Sequence, residues 1–211
     1  MTTSQTPHPG LRERKKQATR EQIAEVARRL FTERGFDAVP VAEVAREADV
    51  SEKTVFNYFA VKEDLVYWRL ESFENELLGA IREREPGESI FAAFSRFVLA
   101  QRGLLAADEP EAAERLAGIT RMICESPALL ERERQIFDRY TTSLADLIAA
   151  ETGRDEVEAR VIANALMGVH RALIDYTRAR ILAGARGPAL ARAVRARGKR
   201  GLATLERGLD M

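Results

Sequence analysis

Residues 41–62, VAEVAREADVSEKTVFNYFAVK, constrain the fold more than any other stretch of the chain. Val41, Val44, Ala45 and Ala48 recur at helical spacing over two turns. Asp49 then stands where the chain must turn. A positive φ is common at such a site; glycine adopts it most easily and Asp is a tolerated second choice. Ser51 is a good N-cap for the next helix, which turns Val55 and Phe59, four apart, to one side. Two short helices joined by a tight turn, apolar behind and polar in front, form the shape that presents side chains to the DNA major groove.

The polar front consists of Glu52, Lys53, Thr54, Asn57 and Tyr58. Asn pairs bidentately with adenine, and Thr either hydrogen-bonds or touches a thymine methyl. Lys53 and Lys62 suit phosphates, and Tyr58 offers a hydroxyl for phosphate and a ring for packing. The same spacing also fits the solvated face of a plain helical bundle, so the pattern alone leaves both readings open.

Charge does not decide between them. The 211 residues hold 33 basic and 33 acidic side chains. Their distribution is uneven: Met1 to Lys62 carries 11 Lys/Arg against 9 Asp/Glu, whereas Asp108 to Glu158 carries 6 against 13. Basic charge is thereby displaced toward the ends. Arg12, Arg14, Lys15 and Lys16 form a basic arm suited to phosphate or minor-groove contact. A second cluster, Arg192, Arg195, Arg197, Lys199 and Arg200, reads as the wet side of an amphipathic helix.

Several classes are disfavoured. Cys124 is the single cysteine, which excludes an internal disulfide and fits a reducing compartment. With only His8 and His170 beside it, a Cys/His zinc site is excluded, and neither a metal nor a cofactor is expected. No Ser/His/Asp or Cys/His set and no phosphate-binding glycine loop stands out, so an enzyme is the weaker alternative. The N-terminus lacks an apolar signal region, and no run approaches the roughly 18 apolar residues of a membrane span. A cytoplasmic protein without membrane attachment is the expectation.

The whole chain reads as helix. Residues 1–10 are expected to be a disordered tail. The first helix nucleates at Thr19, whose spacing to Gln22 fits a capping box, or begins earlier near Arg12. Its stripe is Ile23, Ala27, Leu30 and Phe31, and Gly35 ends it. A further helix is expected from Lys62 through Leu65, Trp68 and Leu70 toward Arg84, before Pro86-Gly87. Helical patterns follow over residues 88–107, 110–124, 127–152, 155–183 and 188–209, the last weakened by Gly198 and Gly201. No segment alternates at period two. The expected architecture is all-α: a three-helix helix-turn-helix domain over 11–66 and a larger helical bundle over 67–211.

The run ERGFDAVPVAEVAREADVSEKTVFNYFAVKEDL resembles the DNA-binding domain of TetR-family transcriptional regulators. The matched features are Gly35-Phe36, Val44-Ala45, Val50-Ser51, Thr54-Val55-Phe56, Tyr58-Phe59 and Lys62-Glu63-Asp64-Leu65. The resemblance implies about nine helices, dimerisation through the last two, and a repressor that binds a palindromic double-stranded operator. It implies DNA contacts at Glu52, Lys53, Thr54, Asn57, Tyr58 and Lys62. It also implies release by a small apolar or aromatic effector; an architectural DNA binder without effector is the alternative.

Two positions depart from the family pattern. Pro40 replaces the usual Thr or Ser, removing a helix cap at a cost on the order of 1 kcal/mol, and Ala60 stands where proline is common. Phe56 lies at a position that sometimes carries a base-contacting tyrosine and offers only apolar contact. For the effector, the adaptable side chains of the second bundle are Phe94, Phe97, Met122, Phe137, Tyr140, Met167 and His170. For the homodimer, half-site logic and the apolar positions of residues 155–209 select Val161, Leu166, Gly168, Ile174, Leu202 and Leu205.

Overall fold

A computed structural model describes residues 11–68, 70–100 and 109–208; the expected disordered tail, Leu105 and Leu209 lie outside these. The described residues form helices without a strand: α1 Leu11–Arg34, α2 Val41–Glu47, α3 Glu52–Tyr58, α4 Asp64–Tyr67, α5 Leu70–Arg82, α6 Ile90–Leu99, α7 Pro110–Glu125, α8 Pro127–Thr152, α9 Glu156–Leu182 and α10 Gly187–Glu206. The chain divides into two compact units after Trp68. The single helix expected from Lys62 to Arg84 is two elements, α4 and α5, which raises the count from about nine to ten.

In the first unit α1 is the spine. Ile23, Ala27, Leu30 and Phe31 are buried as the stripe predicts, and Ala24 joins them. Helix α1 begins at Leu11, the earlier of the two starts, so Thr19 does not cap it. Mid-helix amides already have carbonyl partners, so the Thr19 hydroxyl turns back to donate to the Lys15 carbonyl at 3.0 Å. Gly35, at φ 86°, ends the helix and returns its N–H to the Phe31 carbonyl at 2.9 Å. Phe36 folds back edge-on to Phe31, with ring centroids 5.0 Å apart.

In the second unit the long helices α8 and α9 pack along each other, and α10 packs on α9 and α6. The junction of α8 and α9 is locally determined. Gly153 closes α8 in the left-handed region at φ 68°, and the Asp155 carboxylate accepts from the N–H groups of Val157 and Glu158 to open α9. Helix α10 is continuous through both glycines, although their low helix propensity weakens the expected pattern. A Cβ on Gly198 would lie 2.7 Å from Leu99 Cδ2 and 3.1 Å from Leu173 Cδ1. Gly198 therefore serves close approach between helices within the chain, whereas the dimer candidate Gly168 has nothing within 4 Å of a Cβ.

The interior of this unit holds a ring cluster centred on Phe73. His170 stacks on Phe73 at 4.9 Å and 14°, and meets Phe137 edge-on at 5.7 Å. Phe97 and Tyr140 contact the same Phe73 ring at 5.3 and 5.6 Å. Part of the His170 residue remains open to solvent, but its imidazole lies among these rings. Burial there lowers its pKa from the ordinary 6.5 to about 4. Between these two values the unfolded chain binds a proton that the folded chain does not. Stability contributed by neutral His170 is therefore complete above about pH 6.5 and is lost as pH falls toward 4. Denaturant titrations over this range are expected to show lower stability at lower pH, with the His170→Phe variant showing a shallower decline. An identical decline in both proteins would remove His170 as the cause.

Candidate nucleic-acid interface

Contacts at the start of α2 and at the turn that follows it set the entry to α3. Pro40 leaves α2 without a side-chain cap, as its chemistry requires, and its carbonyl accepts from the N–H groups of Glu43 and Val44 at 3.1 and 3.4 Å. Asp49 takes the left-handed conformation at φ 54°, the one such non-glycine among the described residues. The Val50 N–H then reaches the Ala45 carbonyl at 2.9 Å. From α1, Gln22 Nε2 donates to the Ala48 carbonyl at 3.0 Å and fixes the turn to the spine. The capping-box spacing of Gln22 does not disclose this inward role; its position one residue before the apolar stripe is the signal that could.

Helix α3 is then set by its cap and its back. Ser51 Oγ accepts from the Thr54 N–H at 3.1 Å, as expected of an N-cap. Val55 and Phe59 are each 1% exposed. Arg20 of α1 places its guanidinium 5.4 Å from the Phe59 ring centre, a cation–π contact that the sequence pattern does not reveal.

The opposite face is open. Glu52, Lys53, Phe56 and Asn57 are exposed, and Thr54 and Tyr58 are half-buried along its edges. The Thr54 hydroxyl lies 2.8 Å from Ser51 Oγ, so it is shared with the cap. Asn57 and Lys53, four apart, stand on adjacent turns of the same helix. Phe56 at 49% exposure is one of the large apolar side chains turned to solvent, beside Val61 at 39%.

Lys62 is placed differently from the other five predicted contacts. Its Nζ donates to the Phe36 carbonyl at 2.6 Å and lies 4.2 Å from the Phe36 ring centre and 5.5 Å from that of Phe31. Burial lowers its pKa from the ordinary value, against opposing pulls from Asp37 and Glu63. The ammonium thus ties the loop after α3 to the end of α1. Nearby, Asp64 accepts from the Val61 N–H at 3.4 Å. The basic arm is the first turns of α1, with Arg12, Arg14, Lys15 and Lys16 all exposed.

The candidates of the second unit separate by burial. Phe97, Phe137, Tyr140 and His170 come together around Phe73, which the sequence pattern does not single out although it precedes the apolar Leu77 by one helical turn. Phe94, Met122 and Met167 are buried core residues. A groove of about 230 Å³ opens between α8 and α9, floored by Leu130, Phe137 and Ile174 and edged by Arg171, Arg178 and Glu133. Among the dimer candidates, Leu166 and Leu202 are each 3% exposed. Their side chains fill the protomer's own core, which corrects their assignment to a surface. Val161 and Gly168 are exposed, and Ile174 and Leu205 are half-buried.

Comparison with known proteins matches these features. A family model described as bacterial regulatory proteins, tetR family, covers residues 23–67. The HTH-type transcriptional regulator TcmR of Streptomyces glaucescens is 30% identical over 157 residues, spanning 73% of this chain and 70% of that protein. Two crystal structures share the fold. NalD of Pseudomonas aeruginosa, the secondary repressor of the MexAB-OprM multidrug efflux pump, has a TM-score of 0.56 at 18% identity, covering 88% of this chain and 97% of its own. The transcriptional regulator FadR of Bacillus subtilis, in complex with stearoyl-CoA, has a TM-score of 0.53 at 19% identity, covering 88% and 96%. With its helix-turn-helix inside the matched segment and its likeness to TcmR extending well beyond it, the chain belongs to the TetR family of bacterial transcriptional regulators.

Proposed function

We propose that this regulator is a homodimeric repressor that reads a palindromic operator through α3 and leaves it when a small apolar or aromatic molecule enters the second unit. The observation that carries the reading is the division of α3: Val55 and Phe59 are sealed behind it, and Glu52, Lys53 and Asn57 are open in front. In this assignment Asn57 and Glu52 read bases and Lys53 holds phosphate. Thr54 and Tyr58 work from the edges of the face. Lys62 contributes by holding the loop, with its remaining N–H donors available to phosphate. The exposed basic residues of α1 extend the contact along the backbone.

A dimer is required because one seven-residue helix spans only a few base pairs. The face best suited to pairing lies along α9. Val157 is 71% exposed, Val161 62% and Leu182 53%, and the open Gly168 stands between them. The effector is assigned to the apolar interior around Phe97, Phe137, Tyr140 and His170, where rings dominate the lining. By linkage, such a molecule must bind the DNA-incompetent state more tightly than the DNA-bound state.

Each assignment has its own measurable outcome. After selection of bound sequences from random DNA, Asn57→Ala should cost about 1–3 kcal/mol on the best site and relax one base position, whereas Lys53→Ala should weaken all sequences alike. Wild-type binding by both variants would refute the recognition face. Deleting residues 1–16 should lower the slope of log affinity against log salt by about 0.9 for each phosphate that the arm neutralises; an unchanged slope would reduce the arm to a soluble segment. Val161→Asp should yield a folded monomer in sedimentation and abolish high-affinity operator binding, and a persistent dimer would place the interface elsewhere.

A further inference from the structure

Phe56 is left without a role by these assignments. It is 49% exposed and is, among the described residues, the one exposed aromatic side chain. Its ring meets no other ring and no cation among the described residues. A single apolar side chain on a protein surface is ordinary; the position of this one carries the information. Of the other exposed large apolar residues, Val157, Val161 and Leu182 lie on the α9 pairing face, and Val61 follows α3 in the loop that Lys62 ties down. Phe56 alone belongs to the helix assigned to read DNA.

The direction of the ring follows from the helix. At 3.6 residues per turn Phe56 projects about midway between Glu52 and Lys53, and about 100° from the buried Val55. Glu52 and Phe56, four apart, are neighbours on one side of α3. Glu52 is exposed and makes no ion pair among the described residues. Phosphates repel an unpaired carboxylate, so this side of α3 suits base edges rather than the DNA backbone. A phenyl ring there has neither a donor nor an acceptor to offer. Base-pair edges in the major groove present donors, acceptors and one apolar group, the C5 methyl of thymine. Apolar wedges between base steps belong to minor-groove binders, whereas a recognition helix enters the major groove. The thymine methyl is the group that this ring can bury.

We propose that Phe56 is a specificity-determining residue that packs against the C5 methyl of a thymine in each operator half-site. It selects thymine over cytosine by apolar contact alone, at a position that no hydrogen-bonding side chain reads. The inference rests on α3 being the reading helix, and it adds to Asn57 and Glu52 a base position of different chemistry. Uracil keeps every hydrogen-bonding group of thymine and lacks the methyl, so it isolates the contact. Removing one buried methyl corresponds to about a fourfold loss of affinity.

The test uses the full-length protein and the best duplex selected from random DNA, with each thymine replaced in turn by deoxyuridine at the symmetric positions of both half-sites. At one position the parent should bind about fifteenfold more weakly, roughly fourfold for each methyl removed. Phe56→Ala should bind the thymine duplex more weakly than the parent and lose its discrimination at that position, while keeping the parent's responses at the others. Phe56→Leu retains an apolar contact and should keep part of the discrimination. A parent indifferent to uracil at every thymine would overturn the proposal, and that result needs no variant to fold. So would a selected site without a fixed thymine in its half-sites. A Phe56→Ala variant that weakens thymine and uracil duplexes alike, preserving the parent's ratio between them, would also overturn it, because the ring would then act without regard to the methyl. Failure of the recognition-helix reading is distinguishable: Asn57→Ala and Lys53→Ala would bind the selected site as the parent does, whatever the thymine scan shows.

Discussion

Helices α2 and α3 are seven residues each, too short to persist alone in water, where nucleation costs more than two turns return. Everything the first unit presents to DNA therefore depends on the apolar seam that holds them to α1. Val44, Ala45, Ala48, Val55 and Phe59 are almost fully excluded from solvent, together with Ile23, Ala27 and Phe31 of the spine. Burial at about 25 cal/mol per Å² makes this seam the main stabilising contribution. The polar contacts set its angle. The Gln22 bond to the Ala48 carbonyl and the left-handed Asp49 fix where α2 stops and α3 departs.

The uncapped start of α2 is tolerable in that setting. Loss of a side-chain cap at Pro40 matters less when the helix is held by its buried side and the Pro40 carbonyl still accepts two amides. Between α1 and α2, Arg34 pairs with Glu43 at 2.5 Å and Arg29 with Glu47 at 3.4 Å. These exposed pairs contribute little individually, and they orient the surface more than they stabilise it. Lys62 joins the same framework from the far side, so the two ends of α3 are tethered to the α1 end of the unit through different chemistry.

The second unit shows the reverse balance, with long helices that satisfy their own backbones and a core that decides how they meet. Gly198 lets α10 settle against Leu99 and Leu173, while the larger rings gather around Phe73. The same packing consumes Leu166 and Leu202. What remains on α9 for another molecule is a narrower set of side chains than hydrophobicity alone selects.

The sequence by itself determined the all-helical class, the turn at Asp49, the Ser51 cap and the apolar back of α3. Each depends on residues within a few positions of one another, where spacing, backbone preference and capping chemistry act locally. Its resemblance to the TetR family rested on the same local run. Only the tertiary structure decided that Gln22 reaches across 26 residues to the turn, that Lys62 folds onto Phe36, that Phe73 organises the ring cluster and that Gly198, not Gly168, sits at the close contact within the chain. Those outcomes depend on which helices become neighbours, and periodicity along one helix marks a buried side without naming what lies against it.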